Sequence, residues 1–310
     1  MRIAVFGAGA VGGYFGGRLA QAGQDVVFIA RGDHLKAIRE SGLSIESLAG
    51  DVIAHPKLAT DDPAEAGPVD AVLLGVKAWQ VKDAAAALRP MLGPDTPVVP
   101  LQNGVDAPLQ IAEIIGPSHA VGGLCKFICS VTGPGRIQHV GADPYIAFGE
   151  LDGTRSERMQ QFHDAFSNAV GLIAEVPDNI QAEIWKKFIL IASWSGVGSI
   201  TRSPVGVFRQ IPETRQMLID AMREVWCVAA AHQIDLPESD VDATMAFIDK
   251  LPESGTASMQ RDIMEGRPSE LHEQSGAVVR RGSAVGVPTP IHSLIYFSLL
   301  PQEMKARGLL

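Results

Sequence analysis

The stretch Arg2-Ile3-Ala4-Val5-Phe6-Gly7-Ala8-Gly9-Ala10-Val11-Gly12 decides the fold of this chain. Its first five residues form an apolar run that is typical of a buried parallel strand. The next six residues have the spacing G-x-G-x-x-G, and a helix is predicted over residues 11–22, before Gly23. A strand, a glycine turn and a helix in this order indicate a dinucleotide-binding site.

Each glycine of this turn has its own physical task. Gly7 allows a tight turn, Gly9 lets the backbone approach a pyrophosphate, and Gly12 lets the helix pack closely on the strand. Free N–H groups at the start of the helix then face the phosphates. The alternative is a glycine-rich turn without a ligand. We predict that the cofactor-binding residues of the turn are Gly7, Ala8, Gly9, Ala10, Val11 and Gly12.

The composition is that of an ordinary globular protein. The 310 residues are 46% hydrophobic, carry a net charge of −9 and predict about two domains. No basic tract is present, so neither nucleic acid nor a membrane is expected as a partner. Apolar stretches such as 188–194 are far shorter than the roughly 20 residues of a membrane-spanning helix. We expect the three cysteines to be reduced core thiols of a cytoplasmic protein, and we expect no metal site.

Strands and helices alternate along the first part of the chain. Strands are predicted at residues 2–6, 25–30, 69–76 and 97–101, and helices at 11–22, 35–41, 81–92 and 109–115. Two extended segments, 43–48 and 52–58, predict a hairpin. Further strands are predicted at 120–131, 135–140, 145–148 and 172–176, with a helix at 154–169. The alternation predicts an α/β fold with a Rossmann-type, doubly wound parallel sheet.

The pattern becomes purely helical after Asp178. Helices are predicted at residues 179–195, 212–233, 238–250, 258–264, 270–285 and 291–306. We therefore predict an NADP-binding domain over residues 1–178 and an all-helical substrate-binding and catalytic domain over residues 179–310. The long helices at 212–233 and 291–306 are compatible with a homodimer, and equally with a core position.

Polar residues follow three of the predicted parallel strands, where a doubly wound sheet binds its ligand. Arg31, Lys77 and Asn103 each come directly after or near such a strand end. Arg31 stands where NAD-binding chains carry an acidic residue, and its guanidinium suits a 2′-phosphate. Asp33 would instead favour NAD. We expect NADP(H) as the cofactor with Arg31 and Lys77 as contacts, the alternative being two solvated surface cations.

A lysine on the predicted helix 179–195 is a candidate proton donor. Lys187 lies on the apolar stripe of this helix, whereas Lys186 is rotated away from it. The stripe consists of Ile180, Ile184 and Ile191. A lysine there loses solvation unless a carboxylate holds its proton, and either outcome suits proton donation to a ketone oxygen. A surface pair of Glu183 and Lys187 is an equally open alternative.

Other candidate residues have structural explanations from the sequence alone. Glu270 is predicted at the start of a helix with Ser269 as its N-cap, where the helix dipole favours an acidic residue. Asn103 is also a common turn residue, and Ser258 a common helix-start residue. The residues alone therefore leave their roles open.

Several motifs together resemble the ketopantoate reductase (2-dehydropantoate 2-reductase) family over nearly the whole chain. They are the glycine turn, Arg31, Lys77-Ala78-Trp79-Gln80, Gln102-Asn103-Gly104, Ala182-Glu183-Ile184-Trp185-Lys186-Lys187, and Ser258-Met259-x-x-Asp262 followed by Glu270. The resemblance implies NADPH-dependent reduction of a 2-oxo acid. It implies that Lys187 is the general acid and that Glu270 binds the substrate and holds the lysine. Asn103 is implied near the nicotinamide and the substrate, and Ser258 at the substrate carboxylate.

Two positions depart from the family pattern. The family usually has asparagines four and eight residues after the catalytic lysine, where this chain has Ile191 and Ser195. We expect both residues at the substrate, and an isoleucine that cannot form a hydrogen bond favours a bulkier or less hydroxylated 2-oxo acid. The alternatives are a related 3-hydroxyacid or polyol-phosphate dehydrogenase and a non-catalytic NADP-binding sensor.

Overall fold

The structure, a computed structural model, describes all residues from Met1 to Leu310. The chain forms two units. The first consists of Met1–Gln102 and Ala107–Ile180, and the second of Asn103–Asp106 and Gln181–Leu310. No pattern in the sequence indicates that the four-residue segment 103–106 groups with the second unit rather than with the strand before it.

The first unit contains a parallel sheet of five strands. The strands are β1 (Arg2–Phe6), β2 (Asp25–Ile29), β5 (Leu58–Thr60), β6 (Ala71–Leu74) and β7 (Val98–Pro100). Their order is β5-β2-β1-β6-β7, and every neighbouring pair is parallel. The chain therefore winds outward on one side of β1 and then returns to its other side, which places the switch point between β1 and β6. The predicted Rossmann-type sheet is confirmed.

Both faces of this sheet are covered, which explains why its strands are almost entirely apolar. The helices of the unit are α1 (Ala10–Gln21), α2 (Gly32–Ser41), α3 (Pro63–Ala66), α4 (Val81–Ala87), α5 (Ala107–Ile115) and α6 (Glu157–Asp164). On one face Ile3 and Val5 share a core with Phe15 of α1. On the other face Ala4 and Phe6 share a core with residues of α4 and α5.

A second, mixed sheet completes the first unit. Its strands are β3 (Leu43–Glu46), β4 (Val52–Ala54), β8 (Gly122–Gly133), β9 (Arg136–Gly149) and β10 (Ile173–Glu175). The predicted hairpin is confirmed, since β3 and β4 pair antiparallel, but Leu58 belongs to the parallel sheet through β5. The strands predicted at 135–140 and 145–148 form one continuous strand, because β8 pairs along its length. Helix α6 is much shorter than predicted.

The second unit is helical, as predicted. Its helices are α7 (Ile180–Thr201), α8 (Val205–Phe208), α9 (Pro212–Ala231), α10 (Ser239–Asp249), α11 (Ser258–Met264), α12 (Ser275–Ala284) and α13 (Pro290–Ala306). Helix α7 runs six residues beyond the predicted end at Ser195, and α8 was not predicted. None of the helices has the length and apolarity needed to cross a membrane.

The prediction that Glu270 begins a helix is wrong, because α12 starts at Ser275. Residues 270–274 form a turn in which the Gln274 N–H donates to the Glu270 carbonyl at 2.9 Å. Ser269 does not cap α12, since its N–H and Oγ–H donate to the buried carboxylate of Glu303 at 3.0 and 2.5 Å. The Ser269 Oγ also accepts the Leu271 N–H at 3.2 Å, so its local hydrogen bond lies in this turn and not at the start of α12.

The expectation of three core thiols holds for one cysteine. All three cysteines are free thiols, but only Cys125 is buried. Cys129 is half-buried, and burial together with the neighbouring Cys125 raises its pKa. Cys227 is exposed on α9 and is therefore not a core residue.

Replacing Gly12 by alanine should destabilise the first unit, whereas replacing Gly9 should not. A Cβ on Gly12 would lie 2.3 Å from the carbonyl oxygen of Gly7, which is backbone and cannot move aside. A Cβ on Gly9 would have no atom within 4 Å, and the φ angle of −71° suits alanine. We expect G12A to lower the free energy of unfolding by about 1–3 kcal/mol and G9A to change it by about 0.5 kcal/mol or less. Urea denaturation measures both, and equal stability of the two variants would contradict the close packing of α1 on β1.

Candidate active site

The glycine turn of the first unit forms a cradle that suits a phosphate group. Gly7 has a φ of +96°, and the N–H groups of Gly7 and Ala8 both donate to the Ile29 carbonyl, at 3.0 and 3.2 Å. Gly9 occupies the N-cap position of α1 without a side-chain capping bond, and the space beside its Cα is open. Because no acidic side chain stands in the first turn of α1, its N-terminal N–H groups can receive an anion.

His34 forms a hydrogen bond with the glycine turn, a contact that the sequence does not indicate. Its Nδ1 accepts the Gly135 N–H at 3.0 Å, and its Nε2 lies 2.8 Å from the Ala8 carbonyl oxygen. Since a backbone N–H can only donate, Nδ1 carries no proton, and Nε2–H is the donor to Ala8. The neutral imidazole therefore connects the glycine turn to the turn between β8 and β9.

The two predicted cofactor cations lie at the surface of the first unit. Arg31 is exposed at the N-cap of α2, and Asp33 is exposed two residues later. Lys77 is also exposed, with its Nζ 5.7 Å from the centre of the Trp79 ring. The buried Gln102 donates to the carbonyls at residues 74 and 76 and so ties together the ends of β6 and β7. Arg31, Asp33 and Lys77 are all accessible to a ligand from solvent.

The second unit brings together two of the predicted catalytic residues, Asn103 and Glu270. The Asn103 Nδ2 donates to Glu270 Oε2 at 3.1 Å, and Gln274 Nε2 donates to the same oxygen at 3.2 Å. The carboxylate belongs to a residue that is only 8% exposed, so these two amide donors replace much of its hydration. Gln274 was not predicted, although its spacing of four residues from Glu270 is a signal that the sequence carries.

Helix α7 presents the other predicted residues on one face. Lys187, Ile191 and Ser195 follow one another at intervals of four residues. Lys187 and Ile191 are half-buried, and Ser195 is buried with no hydrogen-bond partner for its hydroxyl. The neighbouring Lys186 is exposed and pairs with Asp240 at 2.9 Å, and this hydrogen bond raises the pKa of Lys186. The structure therefore separates the two lysines as their positions on the helix predict.

Ser258 stands apart from the groups described so far. It is the first residue of α11 and is exposed. No hydrogen bond joins its side chain to Asn103 or Glu270. In the same helix Asp262 forms an ion pair with Arg267 at 2.7 Å, which accounts for the aspartate of this motif. The role that the resemblance implies for Ser258 stays a prediction.

Glu273 adds a second carboxyl group near Glu270. Burial raises the pKa of Glu273 to about 7, and the negative charge of Glu270 acts in the same direction. Its Oε2 is buried without a hydrogen-bond partner, as are Gln274 Oε1 and the Ser275 hydroxyl. The spacing Glu-x-x-Glu from Glu270 is the only signal of this residue in the sequence. No group of three or more His, Cys, Asp or Glu residues is placed to hold a metal ion.

The raised pKa of Glu273 predicts that stability falls as the pH rises. The unfolded chain ionises a glutamate near pH 4.5, whereas the folded chain keeps this proton up to about pH 7. Between these values the folded state binds more protons, so the free energy of unfolding decreases with increasing pH. We expect Glu273→Gln to be about 1–3 kcal/mol more stable than the wild type at pH 8 and nearly equal at pH 4.5.

The measurement is urea denaturation of the wild type and of E273Q at both pH values. At each pH, the difference in the free energy of unfolding between the two proteins removes the contribution of all other titrating groups. Glu113→Gln is the matched control. Glu113 is exposed and pairs with Lys82 at the surface, so its substitution should change stability by about 1 kcal/mol or less. A pH-independent effect of E273Q would contradict the assignment.

Comparison with known proteins places this chain in a family. The family model described as ketopantoate reductase PanE/ApbA matches residues 3–153, and the model of its C-terminal domain matches residues 179–301. The 2-dehydropantoate 2-reductase of Mesorhizobium japonicum is 33% identical over 94% of this chain and 94% of its own.

Solved structures agree over the whole chain. A PanE/ApbA family ketopantoate reductase from Ralstonia eutropha JMP134 superposes with a TM-score of 0.89 at 29% identity, covering 99% of this chain and 100% of the other. A D-mandelate dehydrogenase in complex with NADH and anilino(oxo)acetate superposes with a TM-score of 0.88 at 25% identity, covering 99% of both chains. The chain belongs to the ketopantoate reductase family of oxidoreductases.

Proposed function

We propose that this protein is an NADPH-dependent reductase of a 2-oxo acid, with Lys187 as the general acid. Family membership supports the reaction class. The observation that carries the assignment is the buried Glu270 carboxylate with two amide donors on the same helical unit as Lys187. The glycine turn, with its uncapped helix N-terminus and open space at Gly9, fits the pyrophosphate of a dinucleotide. When bound, the reduced nicotinamide supplies the hydride.

Residues of this chain stabilise the negative charge that develops during the reaction. Reduction of a ketone places negative charge on the carbonyl oxygen, and the Lys187 ammonium stabilises this charge and then supplies the proton. Half-burial of Lys187 strengthens this interaction, because water screens the charge less. In the proposed role, Glu270 binds the substrate and holds the lysine, while Asn103 and Gln274 fix the orientation of its carboxylate by donating to one oxygen.

Two substrate classes are supported by different observations. Ketopantoate is supported by the family models and by the 2-dehydropantoate 2-reductases among the relatives. A bulkier 2-oxo acid with an aromatic group is supported by the likeness to D-mandelate dehydrogenase and by Ile191, which offers the substrate no hydrogen bond. A pocket that is built around apolar contacts discriminates weakly between substrates of similar shape. Both classes therefore belong in one assay, with ketopantoate and phenylglyoxylate as their representatives.

Replacing Lys187 should abolish most of the turnover, whereas replacing its neighbour should not. We expect Lys187→Gln to lower kcat by about 10²–10⁴-fold, the usual contribution of a general acid. Lys186→Gln is the matched control, because it removes the same charge one residue away and retains a donor for Asp240. The measurement is oxidation of NADPH at 340 nm with both 2-oxo acids. Wild-type turnover by K187Q would refute the mechanism, and NADPH binding without oxidation of any substrate would favour a sensor.

Replacing Arg31 should change the choice of cofactor. If Arg31 contacts the 2′-phosphate, Arg31→Ala should raise the KM for NADPH by about 10–100-fold and leave the KM for NADH nearly unchanged. Asp33→Ala is the matched control, since Asp33 is exposed beside the same strand end and would hold the ribose hydroxyls of NAD. A larger effect of D33A on NADH than of R31A on NADPH would show that NADH is the cofactor, as in the D-mandelate dehydrogenase complex.

A further inference from the structure

The segment 103–106 is fastened to the helical unit at both of its ends. It lies between β7 and α5 in the chain, but its own contacts are with residues of the second unit. At one end Asn103 donates to Glu270 at 3.1 Å. At the other end the Asp106 carboxylate receives hydrogen bonds from Arg281 at 2.7 Å and from Arg280 at 3.2 Å.

Arg281 is the stronger of these two arginine contacts. Its Nε donates to Asp106 Oδ1, and its Nη2 donates to the Val105 carbonyl at 3.2 Å. The side chains of Arg281 and Asp106 are only 16% and 21% exposed, so solvent screens the pair weakly. The guanidinium carbon also lies 5.7 Å from the centre of the Trp185 ring, within the range of a cation–π contact. Arg280, by contrast, is 45% exposed.

Gly104 leaves the segment little freedom between its two ends. Its φ of +112° is a conformation that side chains disfavour, and a Cβ there would lie 2.9 Å from the Glu273 carbonyl oxygen. The segment therefore packs directly on the turn that carries Glu270. Asn103 and Asp106 are only three residues apart, so the short segment limits how far one end can move without the other.

We propose that Arg281 is a positioning residue that acts through Asp106 and Val105 to hold the Asn103 amide against Glu270. The inference rests on the proposed function, since it assumes that Asn103 and Glu270 serve catalysis. It adds that Asn103 is a functional part of the helical unit and not of the sheet that precedes it in the chain. Loss of the arginine contact lets the amide leave its hydrogen-bonding position without removing any group from the reaction.

The expected effect is on the chemical step and not on cofactor affinity. A displacement of about 1 Å at a catalytic group can cost up to about 100-fold in rate. We therefore expect Arg281→Gln to lower kcat by about 10–100-fold with either 2-oxo acid. The dissociation constant of NADPH should change by about 2-fold or less, because the groups proposed to hold its phosphates, the glycine turn and Arg31, lie in the other unit and are unchanged. Arg280→Gln removes the more exposed arginine and its hydrogen bond to the His272 carbonyl but leaves Arg281 on Asp106, and it should lower kcat by about 3-fold or less.

A double-mutant cycle with Asn103→Ala tests whether Arg281 acts through Asn103. If it does, R281Q should cost about 10–100-fold in the wild-type background but about 3-fold or less in the N103A background. Arg281→Lys, which keeps the charge but loses the forked donor geometry, should recover only part of the loss. Multiplicative losses from R281Q and N103A, or wild-type turnover by R281Q, would overturn the proposal.

Two further measurements separate this proposal from folding defects and from the proposed function. Asp106→Asn keeps Arg281 and its contact with Trp185, and it should show the same non-additivity with N103A if R281Q fails to fold. A crystal structure of R281Q gives a readout without activity. In R281Q the Asn103 Nδ2 should lie more than about 3.5 Å from Glu270 Oε2, while the helices of the second unit keep their wild-type positions. An Asn103 amide that still donates to Glu270 in R281Q would overturn the positioning role, whereas inactivity of the wild type on every 2-oxo acid would refute only the proposed function.

Discussion

The direct contact between α1 and β1 is the constraint on which the first unit depends. Gly12 lies so close to the Gly7 carbonyl that no side chain fits between them, and Gly16 lies equally close to the Phe28 ring of β2. The helix can therefore begin immediately beyond the end of the strand, with its N–H groups directed at the edge where β1, β2 and β6 all end. The proposed cofactor cradle results from the packing of the helix, because the same glycines that allow the contact leave the backbone uncovered.

A different constraint shapes the helical unit, namely the need to satisfy buried carboxylates. Glu303 is buried, and it is neutralised by Arg307 at 2.6 Å while it accepts hydrogen bonds from Ser269. These bonds hold the chain just before Glu270 in a turn, and the turn brings Gln274 back onto the Glu270 carboxylate. An unpaired buried charge would cost several kcal/mol. The Glu303 carboxylate therefore needs both Arg307 and the donors of Ser269, and the chain before Glu270 adopts the conformation that supplies those donors.

The same region leaves other polar atoms without partners. Glu273 Oε2, Gln274 Oε1 and the hydroxyls of Ser195 and Ser275 are all buried and unpaired. Each such atom costs about 1–3 kcal/mol relative to a satisfied one. Proteins retain costs of this kind mainly at functional sites, where stability is exchanged for a prepared arrangement of groups. These four atoms lie next to Glu270 in the chain or on the helix that carries Lys187, whereas other unpartnered buried atoms, such as those of Asp25 and His292, lie elsewhere.

Features that depend on local patterns were predictable from the residues alone. Buried strands with a glycine turn predicted β1, α1 and the parallel sheet, and the helical period distinguished Lys187 from Lys186. Three other features became visible only in the folded chain: the start of α12 at Ser275, the pairing of Leu58–Thr60 with β2, and the attachment of Asp106 to Arg281. These features depend on contacts between residues far apart in the chain, 175 positions in the case of Asp106 and Arg281. Periodicity records which face of an element is buried, but it carries no information about which distant side chain will satisfy a given charge.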